Sequence, residues 1–167
     1  LYESNIGVRG KILWTPGPND KFTAAWDWSR DTGDLGATRD AYPGALLILG
    51  FPPVAGRYNS QSNEETYVNT KYYGASLKYE HNLGWGSVSF LNAYRKLKSQ
   101  NNIDLDNTPV PLLVARIGET NETYQSELLL NGSLPRLNYT TGVFFFSATS
   151  AYNPLGIRSP ILVAQNY

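Results

Sequence analysis

The chain contains no cysteine and no methionine. Without cysteine there is no disulfide, no thiolate nucleophile and no thiolate-held zinc, so the fold must stand on packing and backbone hydrogen bonds. It also carries no net charge, because fourteen Lys and Arg balance fourteen Asp and Glu. That removes the electrostatic footprint of a nucleic-acid binder and the basic tail of a protein held to an anionic surface. Long apolar runs are missing too. The longest, such as Ala45 to Leu49 and Val143 to Phe146, fall far short of the roughly 18 consecutive apolar residues that a spanning helix needs. No initiator and no charged-then-apolar leader opens the chain, so it is expected to be an internal piece of a longer protein.

What remains favours β structure. Twelve Tyr, four Trp, six Phe, fifteen Gly and ten Pro in 167 residues are the composition of strands cut by turns. Six alternating runs can be drawn: Ile6 to Thr15, Lys21 to Asp31, Lys71 to Asn82, Ser87 to about Gln100, Glu119 to Asn131 and Leu137 to Ser150. Short breakers join the first to the second (Pro16-Gly17-Pro18-Asn19-Asp20), the third to the fourth (Leu83-Gly84-Trp85-Gly86) and the fifth to the sixth (Gly132 to Arg136). Between these hairpins lie long stretches, about Asp31 to Thr70 and about Asn101 to Gly118, and the tail from Ala151 to Tyr167 reads as loop. Antiparallel pairing then gathers all short turns at one end and all long loops at the other. Outer-membrane barrels sort their loops in this way, with strands of roughly 9 to 11 residues crossing the bilayer.

Side-chain alternation fits that geometry. Phe22, Ala24, Trp26 and Trp28 share one face of the second run, with Asp27 opposite. Tyr73, Ala75, Leu77 and Tyr79 oppose Lys78 and Glu80, and Tyr124, Ser126, Leu128 and Leu130 oppose Glu127. Asp27, Lys78, Glu80 and Glu127 are therefore expected to face a lumen, and Trp14, Phe22, Trp26, Trp28, Trp85 and Tyr94 to mark two membrane interfaces. The fourth run leaves its facing open, because Val88, Phe90 and Tyr94 share a face with Asn92 while Leu91, Ala93 and Leu97 share the other with Arg95. A soluble half-buried sheet would alternate equally well with its apolar face inward. Loop sorting and the two aromatic levels are what favour the membrane.

The stretches VRGKILWTP, KFTAAWDWSRDTGD, LGWGSVSFLNAYRKLKSQNNIDLDNTP, ETYQSELLLNGS and LNYTTGVFFF, in this order and spacing, resemble consecutive hairpins of a TonB-dependent outer-membrane receptor. The resemblance covers nearly all of the chain outside 36–70 and 151–167. It implies an all-β, antiparallel up-and-down transmembrane β-barrel segment of about six strands, with short periplasmic turns and long extracellular loops. Residues 1–167 would be part of a 22-stranded barrel in the bacterial outer membrane, without the plug domain or TonB box that family members also carry. It further implies active import of a scarce nutrient (an iron-siderophore, cobalamin or a saccharide) with TonB-transduced energy. The implied partners are outer-membrane lipid and lipopolysaccharide, the protein's own plug, the TonB complex and the small-molecule ligand, with no nucleic acid and no cofactor. Leu129 departs from the pattern, standing where relatives often carry a polar residue. A passive porin-type channel and a soluble β-sandwich carbohydrate-binding module are the alternatives.

No catalytic or metal site is expected. Asp31-Thr32-Gly33 lacks the second copy that a shared-proton carboxylate pair needs. Asp104 and Asp106 suggest a calcium loop, but Pro109 and Ala115 occupy the positions of the glycine and the bidentate acid. Gly84-Trp85-Gly86 reads as a hairpin turn, and His81 has no second histidine to help it hold a metal. Three glycosylation patterns, at Asn121, Asn131 and Asn138, carry meaning only in a secreted soluble protein. Two groupings point to function. Arg39, Tyr42, Arg57, Tyr58 and Tyr67 in the first long loop suit hydrogen bonding to and stacking on a polar ligand. Arg95, Lys96 and Lys98 follow Tyr94 at the outer end of a strand, where outward cations would snorkel toward lipid phosphate.

Overall fold

The computed structural model describes residues 3–35, 47, 50–52, 54–56 and 59–159. Six strands form one antiparallel sheet in chain order: β1 (Glu3–Gly17), β2 (Asp20–Gly33), β3 (Tyr67–Asn82), β4 (Gly86–Asp104), β5 (Val114–Leu134) and β6 (Leu137–Arg158). Each strand pairs with its sequence neighbours, so the sheet is up-and-down with β1 and β6 as open edges.

Local chemistry explains the short turns. Pro18 and Asn19 close the first hairpin, with a register shift between Trp14 and Gly17. In the second, Gly84 adopts φ +81°, a left-handed conformation that glycine enters without steric penalty, and its N–H donates to Asn82 Oδ1 at 2.9 Å. Adjacent turns are stitched together, since Asn82 N–H donates to the Asn19 carbonyl at 2.8 Å and Ser133 N–H to the Trp85 carbonyl at 3.1 Å.

The strands are longer than their alternation suggests. They run from 14 residues in β2 to 22 in β6, and this revises several boundaries. β4 continues to Asp104 and β5 begins at Val114, so the second connection shrinks to residues 105–113. β6 continues through Ala151 to Arg158, where the composition reads as loop. Pro154 fits there because β6 is an edge strand, with one side of its backbone free of ladder bonds. Tyr67, assigned to the loop, is the first residue of β3.

The most enclosed region is the 105–113 connection. Asp104, 1% exposed, accepts the N–H groups of Asp106 and Asn107 through Oδ1, both at 3.0 Å. Asp106 accepts the Thr108 N–H at 2.9 Å through Oδ1 and the Leu113 N–H at 2.5 Å through Oδ2. The fully buried Thr108 shares its hydroxyl proton between Asp106 Oδ1 and the Val110 carbonyl. Asn107 takes φ +53°, a region that Asn tolerates better than most residues. The two aspartates thus serve as turn acceptors. Replacing Asp106 with alanine is expected to strip the acceptor from two backbone donors, costing about 1–3 kcal/mol locally. Amide exchange at Thr108 and Leu113 should accelerate roughly fivefold to a hundredfold; unchanged protection would contradict this role.

Candidate functional site

Residues paired across antiparallel strands project to the same face, so the register assigns every side chain. One face carries an apolar belt. Its first row is Trp14, Phe22, Tyr79, Phe90, Leu128 and Val143, and the next is Ile12, Ala24, Leu77, Asn92, Ser126 and Phe145. A third row runs Gly10, Trp26, Ala75, Tyr94, Tyr124, Ser147, and a fourth Val8, Trp28, Tyr73, Lys96, Glu122, Thr149. The aromatics interlock: Phe22 sits 5.1 Å from Trp14 and 4.6 Å from Tyr79, ring centre to centre. The Trp26 indole lies over Gly10, where a Cβ would fall 2.0 Å from the ring. The lone amide of the belt is satisfied, since Tyr124 OH donates to Asn92 Oδ1 at 2.6 Å.

Across these four rows the only charges are Lys96 and Glu122, which pair with each other in the last row. Charge resumes immediately on either side. Toward the short turns comes Asp20 beside His81, with Nδ1 at 2.8 Å, and Tyr79 OH donates to the same Asp20 oxygen at 2.7 Å. Toward the long loops comes the row Arg30, Lys71, Lys98. Asp20 and Arg30 are ten residues apart on β2, about 33 Å along the strand and about 25 Å along an axis from which the strand tilts by about 40°. The belt is uncovered: Trp14, Val8 and Val143 are 59%, 59% and 70% exposed, and Val114 and Ala115 are the only buried apolar residues among those described.

The opposite face is charged. Asp27, Lys78, Glu80 and Glu127 all lie on it, with Arg9, Lys11, Lys21 and Arg95. Lys78 Nζ contacts Glu80 at 2.8 Å and Lys21 Nζ contacts it at 3.5 Å. Asp27 reaches across β3 to Arg95 at 3.6 Å, and Gly74 makes this possible, because a Cβ there would fall 2.5 Å from the Asp27 carboxylate. Being exposed, such pairs contribute at most about 1 kcal/mol each. Phe144 and Phe146 stack on this face with centroids 6.4 Å apart.

The register settles β4: Val88, Phe90, Asn92 and Tyr94 join the apolar face, and Leu91, Ala93, Arg95 and Leu97 the charged one. Arg95 therefore parts from Lys96 and Lys98, and its expected outward position is corrected by its contact with Asp27. Trp14, Phe22, Trp26, Trp28 and Tyr94 share the belt face, while Trp85 sits in the β3–β4 turn. Of the loop candidates, Arg39, Tyr42, Arg57 and Tyr58 lie outside the described residues. Tyr67 lines a cleft of about 540 Å³ with Arg30, Asp34, Glu64 and Thr66. Arg30 and Lys71 face one another only through the register, although the parity of the second and third runs places both beyond the aromatic positions. Among the described residues no group of three or more His, Asp or Glu could hold a metal.

No family model matches the chain, and no curated protein matches its sequence. The functional reading therefore rests on the residues and their arrangement.

The His81 hydrogen bond, and after it that of Tyr79, holds the Asp20 carboxyl below its ordinary range. Because the folded value is the lower one, the contribution is complete above the unfolded value of about 3.9 and is lost as pH falls through the folded value. Replacing Tyr79 with phenylalanine should raise the Asp20 titration midpoint, as followed by carboxyl NMR. An unmoved midpoint would remove Tyr79 as a cause.

Proposed function

We propose that this chain is a membrane-spanning segment of a TonB-dependent outer-membrane receptor, which captures a scarce nutrient at its long outer loops and imports it actively. The observation that carries the membrane reading is the belt: four rows with one self-paired charge couple, bounded by charged rows at a separation matching an apolar band of about 25 Å. Aromatics concentrate in its first row and in its last two, as at the two interfaces of a bilayer. The same sheet turns a charged face the other way, suited to a wet or plugged lumen. Loop sorting adds to this, with turns at 18–19, 83–85 and 135–136 opposite the connections at 34–66 and 105–113.

The open edges fit a partial barrel. Unpaired backbone groups in hydrocarbon cost several kcal/mol each, so further strands must pair with β1 and β6. The receptor family, rather than a passive channel, is supported by the order and spacing of the hairpin stretches. In this reading Asp27, Lys78, Glu80 and Glu127 face the lumen and the plug, the loop around 36–66 meets the ligand, and the protein performs no covalent chemistry.

Two measurements test this. In the full-length protein refolded into vesicles, Leu77→Arg at mid-belt should destabilise by about 2–4 kcal/mol, and Ser76→Arg on the charged face by far less. Equal effects would sink the membrane orientation. Ligand uptake by cells should stop when the inner-membrane proton gradient is dissipated; uptake that continues would identify a passive channel.

A further inference from the structure

The polar groups of the belt are gathered on one side of it. In its second, third and fourth rows every non-aromatic polar side chain lies on β4–β6: Asn92, Ser126, Ser147, Lys96, Glu122 and Thr149. Lys96 and Glu122 satisfy one another. Asn92 and Ser126, which pair directly across β4 and β5, are not so served. Tyr124 OH donates to Asn92 Oδ1 at 2.6 Å, and no described residue accepts from Asn92 Nδ2 or bonds the Ser126 hydroxyl. One phenol cannot serve both ends of a carboxamide, whichever way the amide is turned.

Depth makes this matter. Asn92 is six residues from Gly86, where β4 leaves its turn, and six from Lys98 in the outer charged row, about 20 Å of strand each way. In the membrane reading that is the middle of the hydrocarbon, where headgroups do not reach and an acyl chain cannot answer an unmet polar group. Shape singles out the same spot. Asn92 and Ser126 are half-buried in a shallow pit, with Phe90 and Leu128 toward the short turns, Tyr94 and Tyr124 toward the loops, and Leu77 and Phe145 at the sides, all six more exposed than the pair they surround. Such a pit calls for a partner that brings apolar surface together with a hydrogen-bonding group of its own.

We propose that this pit is where two copies of the protein meet in the bilayer, paired through Asn92 about a two-fold axis along the membrane normal. The interface rests on the membrane reading. Copies inserted in the same direction hold equivalent residues at the same depth, and a two-fold contact sets the residue on the axis against itself. A carboxamide suits that self-matching, because Nδ2 of each Asn92 donates to Oδ1 of the other, whose second lone pair Tyr124 leaves free. Strands tilted by about 40° in both copies cross at about 80°, so contact concentrates around one point. The short side chains of Asn92 and Ser126 let the sheets approach there, with Tyr94 of each copy above the axis point and Phe90 below it. Hydrogen bonds of this kind hold spanning segments together in lipid.

The test uses the full-length protein in vesicles of phosphatidylethanolamine and phosphatidylglycerol at falling protein-to-lipid ratios, with copies counted by single-molecule photobleaching. The wild type should form dimers that dissociate as lipid is added. Asn92→Leu, which removes the amide and keeps an apolar surface, should weaken dimerisation roughly tenfold. Thr23→Val, on the charged face, should leave it unchanged. In a background without other cysteines, a short bismaleimide should join copies carrying Ser126→Cys and not those carrying Ala24→Cys, which lies in the same row on β2. Monomers at every ratio, dimers that Asn92→Leu leaves equally strong, or equal cross-linking from both cysteine positions would overturn the interface. Heat-modifiable gel mobility reports barrel formation separately: a folded barrel that stays monomeric sinks this interface alone, whereas no barrel in any lipid sinks the membrane reading and the interface with it.

Discussion

The cross-strand register is the constraint on which everything else in this molecule depends. In a sheet with a side-chain period of two, a slip of one residue exchanges the faces of an entire strand. Sliding β3 by one position would bring Lys78 and Glu80 into the belt and send Leu77 and Tyr79 among the charges. Exposed ion pairs are too weak to prevent this. The tight turns do more, since the Asn82–Gly84 contact and the links between neighbouring turns fix where each hairpin begins. So do the positions where a large side chain lies over a glycine: Trp26 over Gly10, Asp27 over Gly74 and Tyr139 over Gly132. A shifted register would set those side chains against a Cβ.

With the register set, one backbone presents two surfaces of opposite chemistry, and neither is covered by the rest of the described chain. A sheet that buries only Val114 and Ala115 among its apolar residues gains its stability elsewhere. The apolar belt must meet lipid or another apolar layer, because exposed apolar area on this scale is not kept against water in a stable monomer. The bounding charged rows favour lipid. A sandwich core has no reason to bound its apolar zone with charged rows on both sides, whereas the two interfaces of a bilayer accommodate them.

The two faces also divide the work in the proposed receptor. In that proposal the belt positions the sheet in the bilayer, between the Asp20–His81 row and the Arg30–Lys71–Lys98 row. The charged face carries the contacts with whatever fills the interior, including the Asp27–Arg95 bridge over Gly74. Beyond the belt, β4 continues six residues past Lys98, about 20 Å of strand, capped by the Asp104–Asp106–Thr108 turn. This holds the second outer connection well clear of the belt.

Six strands, their order as three hairpins and the two-faced alternation were legible in the sequence, because each is written in local pattern: period-two hydrophobicity and breaker clusters. The strand ends at 101–104, 114–118 and 151–158 were not: Asn101 and Asn102, Gly118, and Asn153-Pro154 with Gly156 interrupt the alternation, and the segments extend because a neighbouring strand offers them hydrogen bonds. The facing of β4 escaped for a related reason. Its two faces have similar composition, and only pairing with Tyr79 and Gly74 assigns Phe90 and Arg95. The paired aspartates at 104 and 106 became a turn because backbone N–H groups occupy Asp104 Oδ1 and both Asp106 oxygens. What the sequence by itself determined is which segments are strands and which residues alternate, since these follow from neighbours along the chain. Only the tertiary structure decided which residues from different strands share a row, because register is set by hydrogen bonds between segments; the row of three cations exists only there.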